Sequence, residues 1–143
     1  MAAAAVDSQP NLLIVGSLAD VVEDQFKRIF AEMGISSVSF FPPRSAGTIP
    51  PIGPNTHYLL AQPFLADTAR ALDERGAQRL AAPFPLGVEG TTAWLKAAAT
   101  KWQVADATFD TVTQPKRDRA TKALAGLRLQ LQGKRIFFFP DSQ

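Results

Sequence analysis

The stretch Asn11–Met33, NLLIVGSLADVVEDQFKRIFAEM, decides the fold. Four consecutive apolar residues, Leu12 to Val15, run into Gly16 and Ser17, and a helical pattern begins around Asp20. The reading is a strand, a tight turn and a helix. A strand that is apolar on both faces belongs in the middle of a sheet covered on both sides, the habit of parallel sheets with helices above and below. Gly16 permits the sharp exit. Ser17, with Asp20 three residues on, has the spacing of a capping box and is expected to satisfy free N–H groups of the first turn. Val21, Val22, Phe26, Ile29, Phe30 and Met33 share one helical face, while Glu23, Asp24, Lys27, Arg28 and Glu32 take the other, which is expected to be solvated. Gly34 ends the helix.

The rest of the chain extends this plan. Residues 1–10 are small and polar and read as a flexible lead-in. Ser37 to Phe41 reads as a second strand ended by Pro42-Pro43, since proline cannot donate to a ladder. Residues 42–56 hold five prolines and two glycines and read as a stiff, extended surface loop. Tyr58 to Ala61 is a third strand, and Gln62-Pro63 opens a helix from Phe64 to Arg75 closed by Gly76. Arg79 to Ala82 is a short fourth strand, broken by Pro83-Phe84-Pro85-Leu86-Gly87. Thr91 or Thr92 then caps the helix TTAWLKAAATKW. Residues 103–114 read as irregular. Pro115 starts a long helix with Ala120, Ala123, Leu124, Leu127 and Leu131 on its apolar face and Lys116, Arg117, Arg119, Lys122 and Arg128 on its wet side. Gly133 ends that helix, and Arg135 to Phe139, RIFFF, reads as a final strand.

Alternating strands and helices with short links give an α/β domain, a Rossmann-like parallel sheet with helices on both faces. The expected organisation is a domain over 11–114, a connecting helix over 115–132, and over 133–143 the first strand of a following domain. Ile136 and the three phenylalanines after it would each forgo about 1.5–3 kcal/mol in water, so they call for cover on both sides. Asp141-Ser142 resembles the turn and cap of a further helix, and the expectation is a fragment of something longer.

Composition narrows the function. A length of 143 residues suffices for one domain with a real core. The net charge of +2 falls far short of a nucleic-acid-binding stripe. With no cysteine, this chain alone can build neither disulfides nor thiolate metal or cluster sites. No apolar run reaches the roughly 18 residues of a membrane span, and the first residues lack the basic start of a signal peptide, so a cytoplasmic place is expected.

Familiar catalytic patterns are absent. A dinucleotide fingerprint needs three glycines at the first strand-to-helix turn, and here there is only Gly16. The Gly133-Lys134 pair precedes a strand and is followed by Arg135, which does not make an ATP-binding P-loop. His57, the one imidazole, reads as a surface or edge histidine, and no other ligand stands near it in sequence. Ser17 and Ser142 lack a nucleophile elbow and read as caps. Glu23 and Asp24 suit the helix N-terminus and a solvated face. The basic set Lys116 to Arg128 reads as a helix exterior or a subunit contact. Trp94 and Trp102, eight residues apart, lie on one side of a helix and read as core. In open α/β sheets ligands sit beyond the carboxyl ends of the strands. Those ends are Gly16-Ser17-Leu18, Gln62-Pro63-Phe64 and Asp141-Ser142.

Four segments carry a resemblance: IVGSLADVVEDQF (14–26), LLAQPFLADTARAL (59–72), PFPLGVEGTTAWL (83–95) and GKRIFFFPDSQ (133–143). Together they resemble the middle of the N-subunit family of dark-operative protochlorophyllide reductase, a nitrogenase-like enzyme, over nearly all of residues 11–143. The resemblance implies a nitrogenase component 1-like middle domain. It also implies a heterotetramer of two NB copies carrying 4Fe-4S clusters, and a separate L-protein reductase dimer that uses ATP to deliver electrons. The implied reaction reduces the C17=C18 bond in ring D of protochlorophyllide to give chlorophyllide, for chlorophyll or bacteriochlorophyll. The family's cluster cysteines lie upstream of the matching segment, so none is assigned here, and a plastid-encoded member would work in the stroma. Where the nitrogenase molybdenum-iron protein has a cysteine ligand to its metal cofactor, this chain has Gln62 beside Pro63 and Phe64, which fits a flat organic macrocycle. Ser17, Leu18, Gln62 and Phe64 are the resulting substrate-pocket residues, with no catalytic residue and no metal ligand assigned. The isolated chain is expected to bind no iron, hydrolyse no ATP and reduce no pigment. Two other readings stand beside this one: a free-standing α/β module for a small ligand or nucleotide, and a sister nitrogenase-like subunit such as that of chlorophyllide reductase, against which FFFPDSQ argues.

Overall fold

The strand β1 (Asn11–Val15) lies between two parallel neighbours, so Leu12, Leu13, Ile14 and Val15 are all buried. The structure, a computed structural model, describes residues 9–45, 47, 49–135 and 137. After β1 come α1 (Asp20–Glu32), β2 (Val38–Phe41), β3 (Thr56–Leu60), α2 (Ala66–Asp73), β4 (Gln78–Arg79), α3 (Gly87–Lys101) and α4 (Asp106–Leu131). The four strands form one sheet in the order β2-β1-β3-β4, with parallel pairings throughout. Leu12 faces Val38 on one side and His57 on the other, and Val15 faces Phe41 and Leu60.

Alternation along these strands feeds two cores. Leu12, Ile14, Phe40 and Leu59 pack with Phe26 and Phe30 of α1 and with Trp94 and Ala98 of α3. On the other face Leu13, Val15, Tyr58 and Leu60 meet Ala69 and Leu72 of α2. Helices therefore cover both faces, the expected α/β architecture. Burying each Leu, Ile or Phe contributes about 1.5–3 kcal/mol, which makes the doubly covered β1 the energetic centre.

Gly34 closes α1 as expected. Its φ of 84° is left-handed, Gly34 N–H donates to the Ala31 carbonyl at 2.9 Å and Ile35 N–H to that of Phe30 at 2.9 Å, a Schellman ending with Ile35 buried. The two tryptophans set the direction of α3. Trp94 Nε1 donates to the Leu60 carbonyl at 2.9 Å, while the Trp102 ring meets the edge of His57 with centroids 5.7 Å apart. Eight helical residues rise about 12 Å and three strand steps about 10 Å, so α3 runs antiparallel to β3 with its N-terminus beyond the carboxyl edge of the sheet. Trp94 is fully buried against Phe26 at 4.8 Å, in agreement with its reading as core.

Several local expectations are corrected. Strand bounds shift, most at β4, which is Gln78–Arg79 and not Arg79–Ala82. The helix after β3 begins at Ala66, because Phe64 adopts φ 65° and lies outside it. Neither Thr91 nor Thr92 caps α3, which starts earlier, at Gly87, and the Thr92 hydroxyl donates back to the Val88 carbonyl at 2.6 Å. Ser17 does not cap α1; Ala19 holds the cap position with no side-chain bond. Most of residues 103–114 are helical, and Pro115 lies inside α4. Phe109 and Thr113 are buried, and that burial carries the helix upstream of the proline. Pro115 cannot donate to the Thr111 carbonyl, but Thr111 is exposed and water can reach it. Arg135 and Phe137 are exposed and outside any strand; Ile136, Phe138, Phe139, Asp141 and Ser142 lie outside the described residues. Among the described residues no helix is long and apolar enough to cross a membrane.

Candidate functional site at the carboxyl edge of the sheet

From β1 the chain passes through α1 to β2 on one side, and from β3 through α2 to β4 on the other. The connections diverge between the adjacent strands β1 and β3, and the place beyond the carboxyl ends at such a switch point is the usual ligand position in open α/β sheets. The chain crosses that place at Gly16-Ser17-Leu18 and Gln62-Pro63-Phe64.

The structure ties these two turns together. Ser17 N–H donates to Gln62 Oε1 at 3.0 Å, and Gln62 Nε2 donates to the Ser17 carbonyl at 2.8 Å. The carboxamide thus pairs with both polar groups of one peptide residue, the way a strand neighbour would. Gly16 makes the approach possible: its φ is 153°, and a Cβ there would stand 3.1 Å from the Ala61 Cβ and 3.4 Å from Gln62 Cγ. Leu18 is half-buried against the core beneath α1 and α3. Phe64 is 94% exposed with its backbone in the left-handed region, a conformation that costs a bulky residue about 1–2 kcal/mol. Of the four expected residues, then, Ser17 and Gln62 are bonded, Leu18 supports the same turn, and Phe64 projects into solvent.

Two apolar residues at this edge escaped the sequence reading. Val21 was expected in the core, yet it is 65% exposed, and Leu86, just before α3, is 74% exposed. Both sit at the start of a helix whose N-terminus lies at the carboxyl edge, before the helix reaches its core contacts. Proximity to Gly16 and Gly87 was the available signal.

Beside the switch point the proline-rich loop is pinned to α1. Arg44 Nε donates to Glu23 Oε2 at 2.6 Å, and Arg44 Nη2 to Asp24 Oδ1 at 2.7 Å and to the Asp20 carbonyl at 2.7 Å. These bonds, Glu23 first and Asp24 next, raise the Arg44 pKa further above its ordinary value. Glu23 is buried, a correction to its reading as part of a solvated face. On the other face Tyr58 Oη donates to Asp73 Oδ1 at 2.7 Å, and burial, with that bond, pushes the phenol up to about 12.

His57 lies at the amino end of β3, away from the switch point. It is neither surface nor edge: β3 is an inner strand, the imidazole is buried, and among the described residues Nδ1 has no hydrogen-bond partner. Burial, with the Lys101 charge as a second cause, holds its pKa below the ordinary value. Two hollows lie elsewhere, one of about 650 Å³ between α3 and α4, lined by Glu89, Lys96, Asp106 and Arg117, and one of about 550 Å³ beside Leu124, Leu127 and Leu131.

The donor set does not fit an iron-sulfur cluster. The chain contains no cysteine, and among the described residues no group of three or more His, Asp or Glu side chains converges to hold a metal. No residue of this chain is assigned to such a group.

Comparison with known proteins sets this geometry in a family. Residues 4–143 match the family model described as Nitrogenase component 1 type Oxidoreductase. The chain is 64% identical over 140 residues to the light-independent protochlorophyllide reductase subunit N of Rhodopseudomonas palustris strain BisA53, covering 98% of this chain and 33% of that protein. To the subunit of the same name from Rhodospirillum rubrum it is 63% identical over 140 residues, covering 98% and 32%. To that of Rubrivivax gelatinosus it is 60% identical over 135 residues, covering 94% and 32%. The chain spans about a third of the length of the curated relatives it matches.

Proposed function

We propose, because the chain belongs to the nitrogenase component 1 type oxidoreductases, that it forms one α/β unit of an N-type subunit of light-independent protochlorophyllide reductase. The observation that carries this reading is the 64% identity to such a subunit over 98% of the chain. In this reading the N-type subunit pairs with a B subunit, two such pairs form the heterotetramer, and a separate L-protein dimer uses ATP to supply electrons in the cytoplasm or plastid stroma. A 4Fe-4S cluster held by residues outside this chain relays those electrons, and the product is chlorophyllide, reduced at C17=C18 of ring D.

This chain's own contribution is binding. Protochlorophyllide is a flat, largely apolar macrocycle, and the carboxyl edge of the sheet offers apolar surface on Leu18 and an aromatic ring on Phe64. Ser17 and Gln62 hold the two turns in register, so that Gln62 acts through the loop it fixes. Ring stacking of this kind contributes about 0.5–1.5 kcal/mol.

The test is a chimera in which this chain replaces the matched third of the Rhodopseudomonas palustris subunit, assembled with its B and L partners. The chimera should reduce protochlorophyllide. Phe64→Ala in it should weaken substrate binding by roughly threefold to tenfold and leave the iron content of the complex unchanged. Unaltered affinity removes Phe64 from the pocket, and an assembled but inactive chimera removes the reading as a whole.

A further inference from the structure

The apolar stripe of α4 runs the length of the helix but is covered over only half of it. Phe109 and Thr113 are buried, and Ala120 lines a small apolar pit of about 130 Å³ with Ile29 of α1 and Leu95 of α3. The same stripe continues with steps of four, three and four residues to Leu124, Leu127 and Leu131, which are 48%, 51% and 51% exposed. Every residue from 118 to 131 is exposed, a projection of about 20 Å at 1.5 Å per residue.

Such a projection does not hold itself up. Isolated helices shorter than about 12–15 residues are marginal in water, and Gly126, with nothing among the described residues within 4 Å of a Cβ placed there, weakens the exposed half further. Its charge selects the partner. Between 117 and 131 stand Arg117, Arg119, Lys122 and Arg128 against the single carboxylate Asp118. A second copy of the helix would set like charges face to face along the seam.

Resting on the functional reading above, we infer that this seam is an internal docking face of the longer subunit. It receives a segment from the two-thirds of the relatives' length outside the match, and that segment offers an apolar groove rimmed by carboxylates. Size, continuity with the buried half of the stripe and charge all point to such an occupant.

Hydrogen exchange of residues 118–131 in the 143-residue chain and in the chimeric subunit tests this directly. The amides should exchange slower by roughly tenfold or more in the chimera. Leu124→Glu/Leu127→Glu should lower the Tm of the chimera and leave that of the 143-residue chain unchanged. A chimera that is active yet exchanges as fast as the short chain overturns the docking face and leaves the functional reading standing. Dimerisation of the short chain abolished by the double substitution would assign the seam to a second copy and overturn the inference. Binding of the short chain to phosphatidylserine vesicles, abolished in the same way, would assign it to a lipid surface and also overturn it.

Discussion

Arg44 Nε lies 2.6 Å from Glu23 Oε2, and Glu23 is only 4% exposed, on a helix that otherwise turns its charges outward. A buried carboxylate is tolerable only when its charge is matched, and Arg44 supplies that match for Glu23. Arg44→Ala should lower the Tm at neutral pH by much more than Asp24→Ala, because Asp24 is half exposed and can turn to water. Glu23→Gln/Arg44→Ala, which leaves no unmatched charge in the fold, should recover much of the loss. Thermal melts of the four proteins at neutral pH decide the matter, and equal effects of Arg44→Ala and Asp24→Ala would show that the pair is ornamental.

That ion pair also marks the limit of what the sequence can tell. The apolar run Leu12–Val15 declared a strand covered on both faces, and Gly34 and Gly76 declared helix ends, because those signals are local and each is used within a turn or two of itself. Glu23, His57 and Ser17 were misplaced because their surroundings come from Arg44, Trp102 and Gln62, partners 21 to 45 residues away. Pro115 is a favoured first helical residue, yet the burial of Phe109 and Thr113 outweighed that preference. The switch point between β1 and β3 follows from the strand order, which the alternation of strands and helices suggests but does not fix. That Gln62 spends both ends of its carboxamide on Ser17 depends on β1 and β3 being neighbours, which no local pattern encodes.

The buried imidazole supplies a pH dependence with a definite sign. The pKa of His57 is lowered in the fold, first by burial and then by the Lys101 charge, so the unfolded chain binds the proton more readily. Its contribution to stability is complete above the ordinary imidazole value and is lost as pH falls through the lower folded value. Chemical denaturation between about pH 7.5 and 5.5 should show stability declining across that interval, and His57→Phe, which keeps a ring against Trp102, should flatten the decline. An unchanged slope in the variant would mean that another group carries the dependence.

The paired bonds between Ser17 and Gln62 can be dissected with one oxygen. Gln62→Glu keeps an acceptor for the Ser17 N–H but replaces the donor that serves the Ser17 carbonyl with a second oxygen, so at neutral pH a carboxylate faces a carbonyl at hydrogen-bond distance. The loss should be about 1 kcal/mol or somewhat more, since Ser17 is exposed and water can take up part of the deficit. Protonation restores a donor, so the substituted carboxyl should have a raised folded-state pKa, and stability relative to the native chain should return as pH falls through it. Gln62→Leu removes both bonds, and its deficit should not change with pH. Denaturant melts at about pH 7 and pH 4.5 separate the cases: a Gln62→Glu deficit that stays constant with pH would show that the carboxamide nitrogen does not hold the Ser17 carbonyl, and the two turns would then be joined by the Ser17 N–H bond alone.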